Sequence, residues 1–168
     1  TQYELCRLFK DRAGDSATHK SIPGQVERNT GIFSQTVNGE LIEYLVISPQ
    51  FNKYVRLSSS GAPDNFPSFL QVEEVIDYVE ANYRIDSRKI YLTGFSNGAN
   101  MIIEYAASSL ARAQRVAAIM PVSLCSQPFH INNTSRGIDP VYIGQAKLKT
   151  WFVYCESDNC GSGSAANV

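Results

Sequence analysis

The sequence predicts an α/β fold, a three-layer αβα sandwich built on a mostly parallel β-sheet. Three observations carry that expectation. Short apolar, β-rich runs alternate with stretches whose apolar residues recur every three or four positions, the pattern of βαβ units. The runs "YLVI", "VAAIM" and "WFVY" are continuously apolar rather than alternating, as strands covered on both faces are. At 168 residues the chain fits one core, so a single domain over 1–168 is expected.

The elements follow in order. "YELCRLF" has strand character and runs into "KDRAGDSATHKSIPGQ", where Gly14, Asp15, Ser16, Pro23 and Gly24 make a loop. "LIEYLVISPQF" (41–51) is rich in β-branched and aromatic residues and reads as a buried strand stopped at Pro49. "NKYVRLSSSGAPDNFP" is a loop. Then Phe69, Val72, Ile76, Val79 and Tyr83 form the apolar stripe of an amphipathic helix N-capped by Ser68. Glu73, Glu74, Asp77 and Glu80 read as its solvated face.

"KIYLTGF" (89–95) is a strand, "NGANMIIEYAASSLARA" a second helix, and "RVAAIMPVS" (115–123) another strand. The polar run "LCSQPFHINNTSRGIDPVYIGQA" is a loop. "KTWFVYCESD" (149–158) is the last strand with its terminal loop, and core packing is the default expectation for Trp151.

Composition removes several function classes. A formal net charge of −1 lacks the basic stripe of a nucleic-acid binder. No apolar run approaches the roughly 20 residues that span a bilayer, so no membrane partner is expected. Cys6, Cys125, Cys155 and Cys160 make no disulfide framework, although one local Cys155–Cys160 bridge stays open. His19 and His130 have no ligand-like spacing to the cysteines, which argues against zinc.

The chemistry concentrates at "IYLTGFSNGANM" (90–101). Gly-x-Ser-x-Gly is a weak signal alone and counts only where a strand feeds it and a helix leaves it. Both flanks are present. In that setting Gly94 and Gly98 relieve crowding between strand and helix, and Ser96 stands exposed above the sheet as a nucleophile. The new helix turns its positive end, and the Asn97 N–H, toward a developing oxyanion. The bland alternative is a glycine-flanked βα turn with a capping serine.

"YRIDSRKIYLTGFSNGANM" resembles the elbow region of α/β-hydrolase esterases of the polyhydroxybutyrate-depolymerase and feruloyl-esterase kind. "LVISPQF", "VAAIMPVS" and "TWFVYCESDN" resemble further strands of those enzymes in the same order. The resemblance implies that Ser96 is the nucleophile, Asp158 the acid that orients a histidine, and the Asn97 N–H half of the oxyanion hole. Glu156 is the nearest rival to Asp158. No metal or organic cofactor is implied, and the substrate is a small-molecule or polysaccharide-linked carboxylic ester or a short polyester. A secreted or periplasmic location follows from the same resemblance.

The sequence also departs from that family. "LFKDRAGDSAT" lacks the His-Gly pair of the first active-site loop, so a second oxyanion donor falls near Arg12 or Ala13. Asp11 and Asp15 read as turn-making. No histidine follows Asp158, although the order Ser, Asp, His needs one. His19 and His130 read as exposed loop residues. The expectation is an incomplete chain whose base lies outside these residues. The rival reading is a non-catalytic α/β-hydrolase-like binding domain. A nucleotide-binding sandwich ranks lower, since neither GxGxxG nor a Walker A pattern occurs.

Overall fold

The computed structural model describes residues 3–9, 34–49, 56–57, 63–64, 69–124 and 138–153. In chain order these form strands β1 (Tyr3–Phe9), β2 (Ser34–Val37), β3 (Glu40–Ile47), β4 (Arg56–Leu57) and β5 (Pro63–Asp64). Helix α1 (Phe69–Asn82), strand β6 (Ile85–Phe95), helices α2 (Asn97–Ala107) and α3 (Leu110–Arg115), strand β7 (Ala118–Val122), helix α4 (Val141–Gln145) and strand β8 (Lys149–Thr150) follow. Six strands make one sheet in the order β2-β3-β1-β6-β7-β8, and only β2 runs antiparallel.

The core lies between this sheet and the helices. Ile90 and Leu92 on β6 and Ile119 on β7 join Val72, Ile76 and Val79 of α1 in one cluster. Apolar residues of α2, among them Met101, Ile102, Ile103 and Tyr105, join it with Ile143 of α4. The described residues thus hold the sheet and one helical layer of the expected sandwich. Tyr91 and Met120, of the other strand parity, line a groove of about 310 Å³ on the sheet with Trp151.

Several expectations change in detail. Strand 41–51 is shorter and only half-buried at 42–47, because it pairs with β2 through a tight hairpin. Asn38 (φ 52°) and Gly39 (φ 83°) supply the two positive φ angles that such a two-residue turn requires. The 52–67 loop contains the small β4–β5 ribbon. Within the 124–146 loop lies α4. Tyr83 falls beyond α1 and is exposed, and Ser68 lies outside the described residues.

The second helix is two helices. Ser108 Oγ donates to the Tyr105 carbonyl (2.7 Å), and Ser109 in an extended conformation caps a new helix by accepting from the Arg112 N–H (3.2 Å). A serine beside the last carbonyls competes with the helix ladder, and a serine N-cap is worth about 1 kcal/mol to the next one. Strand 89–95 starts earlier, at Ile85, with a bulge in which residues 86–89 face only Glu4 of β1.

The acidic face of α1 is not simply solvated. Glu73 takes a forked grip from Arg112, while Asp77 and Glu80 hold Arg115. Arg112 also lies 5.3 Å from the Phe69 ring centroid. These contacts fasten α3 to α1. Trp151 overturns its expectation: its N–H donates to the Ile119 carbonyl of β7 (3.0 Å), yet it is 70% exposed, because its side chain lines the open groove on the sheet with Tyr91 and Met120.

Candidate active site

Strand β6 turns into α2 within a single residue. A Cβ on Gly94 would sit 2.4 Å from the Gly98 carbonyl carbon and 2.5 Å from its oxygen. Only glycine lets the strand's end and the helix's first turn come this close. Gly94 therefore serves a contact of its Cα with the Gly98 backbone.

Between them Ser96 has φ 54° and ψ −112°. A non-glycine residue in that region costs about 1–3 kcal/mol and persists only where its surroundings impose it. The imposing bonds are visible: Ser96 N–H donates to the Val122 carbonyl (2.9 Å), and the Ser96 carbonyl accepts from Asn100 N–H (3.1 Å). Ser96 holds the N-cap position of α2, yet its side chain makes no capping bond.

Ser109 shows what an ordinary cap looks like in the same chain. Its φ of −167° and ψ of 156° lie in the extended region, and its hydroxyl accepts a helix N–H. An N-cap serine normally has that geometry. Ser96 has neither feature, so the capping-serine alternative fails. Among the described residues no side chain takes up the Ser96 hydroxyl.

The location in the sheet is also special. From β1 the chain goes to β3 on one side and later to β6, β7 and β8 on the other. Such a reversal opens a crevice at the carboxyl ends of the strands, where open α/β sheets bind ligands. Phe9, the end of β1, is in register with Gly94. The end of β6, Phe95, is in register with Val122, which bridges to Val153. Ser96 thus stands at the switch point, with β7 locked beside it by Thr93 Oγ1 donating to the Met120 carbonyl (2.8 Å).

The other expected residues divide. Asn97 opens α2, so its backbone N–H has no intrahelical acceptor and lies beside Ser96. Asp158 and its rival Glu156 lie outside the described residues, as do Asp11, Arg12, Ala13, Asp15, His19, His130, Cys125, Cys155 and Cys160. What is described is the approach to Asp158: Val153 N–H donates to the Pro121 carbonyl (3.0 Å), at the edge that carries Ser96. Two residues were missed. Ser123 has φ 49° at the tip of β7, and Asn100 buries an Oδ1 that meets no donor among the described residues. Nothing in their local sequence marks either one.

Charges are few here. Among the described residues no group of three His, Cys, Asp or Glu is placed to hold a metal ion. The shifted carboxyl lies at the far end of β6, where Arg88 hydrogen bonds hold Asp86 below its ordinary value. Among the described residues no helix is long and apolar enough to cross a membrane.

No family profile and no curated protein sequence matches the chain. Solved structures do. Over 99% of its length it superposes on LpqC, a poly(3-hydroxybutyrate) depolymerase from Bordetella parapertussis, at 15% identity and TM-score 0.59. Over 92% it superposes on the S-formylglutathione hydrolase FrmB from Staphylococcus aureus, at 17% identity and TM-score 0.57. A fluorophosphonate-binding serine hydrolase of the same bacterium, FphF, gives 16% and 0.57. The chain spans 61% of the depolymerase and 65% of each staphylococcal chain. The fold implied by the elbow region is therefore met in three dimensions: the chain shares the α/β-hydrolase fold of these structures.

Proposed function

We propose that the chain is the catalytic domain of a serine esterase, with Ser96 as nucleophile. The observation that carries this reading is the backbone of Ser96: an N-cap residue with φ 54° that caps nothing, at the switch point of the sheet. A strained turn that frees a hydroxyl above the strands is what nucleophilic attack needs, and the glycine contact beneath it has no other evident use.

In this mechanism Ser96 Oγ attacks the ester carbonyl while an imidazole, oriented by Asp158, takes its proton. The tetrahedral oxyanion forms beside the start of α2, where the Asn97 N–H and the helix dipole stabilise it. One such donor is worth about 3 kcal/mol of barrier. The intermediate collapses by expelling the alcohol, which receives the proton, and leaves an acyl-serine. Water then repeats the sequence and releases the acid.

The substrate class is a carboxylic ester, either a small molecule, an acyl or feruloyl group on a polysaccharide, or a short polyester. A secreted or periplasmic setting suits the polymeric choices. One domain over 1–168 and no cofactor complete the proposal.

A fluorophosphonate probe should label the full-length protein and spare Ser96→Ala. Equal labelling of both removes Ser96 as nucleophile. Asp158→Asn should slow p-nitrophenyl acetate hydrolysis by orders of magnitude, and unchanged turnover removes that acid. A folded protein with neither labelling nor turnover is instead a binding domain on this fold.

A further inference from the structure

Ser123 repeats, one strand over, the oddity of Ser96. It is a non-glycine residue with φ 49°, placed directly after the last residue of β7. Positive φ is uncommon outside glycine, and asparagine or aspartate are the usual exceptions. The conformation is held from both sides. Val122, just before it, accepts the Ser96 N–H at 2.9 Å, and Ser123 N–H donates to the Val153 carbonyl at 2.8 Å. The register Phe95↔Val122 makes Ser96 and Ser123 neighbours across the strand ends, about one strand spacing (~4.8 Å) apart.

The bend at Ser123 has a structural use, since it returns Leu124 to the core, where it is 3% exposed. Glycine would make that bend with less strain. Ser123 is half-buried, so a serine there keeps a hydroxyl at the edge where the ester must lie. Among the described residues no group takes up that hydroxyl, and it is open to a ligand.

We propose that Ser123 is a specificity-determining residue whose hydroxyl hydrogen-bonds a polar oxygen of the substrate a few bonds from the scissile carbonyl. The favoured substrates are then esters bearing a hydroxyl on the acyl chain or on the alcohol, over their plain alkyl counterparts. The proposal rests on Ser96 being the nucleophile, because the reach is measured from that residue.

Two substrate pairs separate the sources of that oxygen in the full-length protein. p-Nitrophenyl 3-hydroxybutyrate against p-nitrophenyl butyrate reports on the acyl side. 2-Hydroxyethyl butyrate against propyl butyrate reports on the alcohol side. The unaltered protein should favour the hydroxylated member of one pair by about tenfold in kcat/KM, and Ser123→Ala should bring that ratio near one. Ser123→Gly should do the same while melting above Ser123→Ala, and it carries the test if the alanine variant does not fold. An unaltered protein without preference in either pair overturns the proposal. So does a Ser123→Ala ratio equal to that of the unaltered protein, or an equal loss on both members of the favoured pair. If Ser96→Ala still turns over esters, the nucleophile assignment falls as well; if Ser96→Ala is dead and the ratio survives in Ser123→Ala, the Ser123 proposal alone falls.

Discussion

Ser96 donates its backbone N–H to the Val122 carbonyl at 2.9 Å, so the tip of β6 is pinned by the neighbouring strand as well as by its own helix. The strain at Ser96 is thereby charged to the whole sheet, and it can be measured.

Ser96→Gly and Ser96→Ala should differ in stability. Glycine accommodates φ 54°, ψ −112° without a Cβ conflict, whereas alanine keeps the strain. The glycine variant is expected to unfold about 1 kcal/mol later in urea than the alanine variant. Equal midpoints would mean that the turn carries no strain.

Gly94→Ala should damage the turn itself. The added methyl lands on the Gly98 backbone, which cannot swing away as a side chain tip does. The expected loss is about 3 kcal/mol or more, read from denaturant midpoints. Gly144→Ala is the control, because a Cβ there meets nothing within 4 Å.

Arg112→Ala should loosen α3 from α1. It removes the fork on Glu73, the bond to Ser108 Oγ and the contact with Phe69. These groups are partly exposed, so the expected cost is about 1–2 kcal/mol and shrinks in high salt. Lysine should recover little of it, since it cannot fork. Full recovery by Arg112→Lys would contradict the geometry.

Tyr105→Phe should be neutral or stabilising. Among the described residues the buried Tyr105 hydroxyl makes no hydrogen bond of good geometry, although Arg115 lies close enough to donate weakly to it. Burial raises its pKa, so the phenol stays neutral. Removing an unpaired buried hydroxyl should raise stability by up to about 1 kcal/mol. A clear loss in thermal unfolding would reveal a partner.

Asp86 should show in the acid limb of stability. Hydrogen bonds from Arg88 hold its folded pKa below the ordinary value. A lowered folded pKa adds stability that is present above the unfolded value, about 3.9, and is lost as pH falls through the folded one. Arg88→Ala should move the Asp86 carboxyl back up in an NMR titration and flatten that limb. An ordinary pKa for Asp86 in the unaltered protein would refute the clamp.

Much of this was legible in the letters. The α1 stripe of Val72, Ile76 and Val79 is a strong 3.6-residue period, and it is the buried face. The strand feeding "GFSNG" and the helix leaving it were legible because glycine and β-branched residues change abruptly there. Other features depend on tertiary partners. The break at Ser108–Ser109 hinges on two hydroxyls that also suit a helix surface. The arginines that claim Glu73, Asp77 and Glu80 come from a helix some forty residues on. The β2–β3 hairpin has a local sign, Asn38-Gly39, but a weaker one than the apolar run behind it. Ser123 carries no local sign, because its φ is imposed by strands on either side.

Strand β1 draws its two neighbours from distant stretches of chain: Tyr3 pairs with Glu43 on one edge and Ile85 on the other. Pairings so far apart must first overcome the entropy of closing long loops, so they come late in folding. Until β1 is seated, β6 lacks a neighbour on that side, and its tip is held only by the Val122 carbonyl of β7 and the first turn of its own helix. A partly folded chain would contain the motif's letters with its backbone angle supported from one side alone. Reactivity at Ser96 would then report that the sheet has closed, which makes an activity-based probe a folding sensor for this protein.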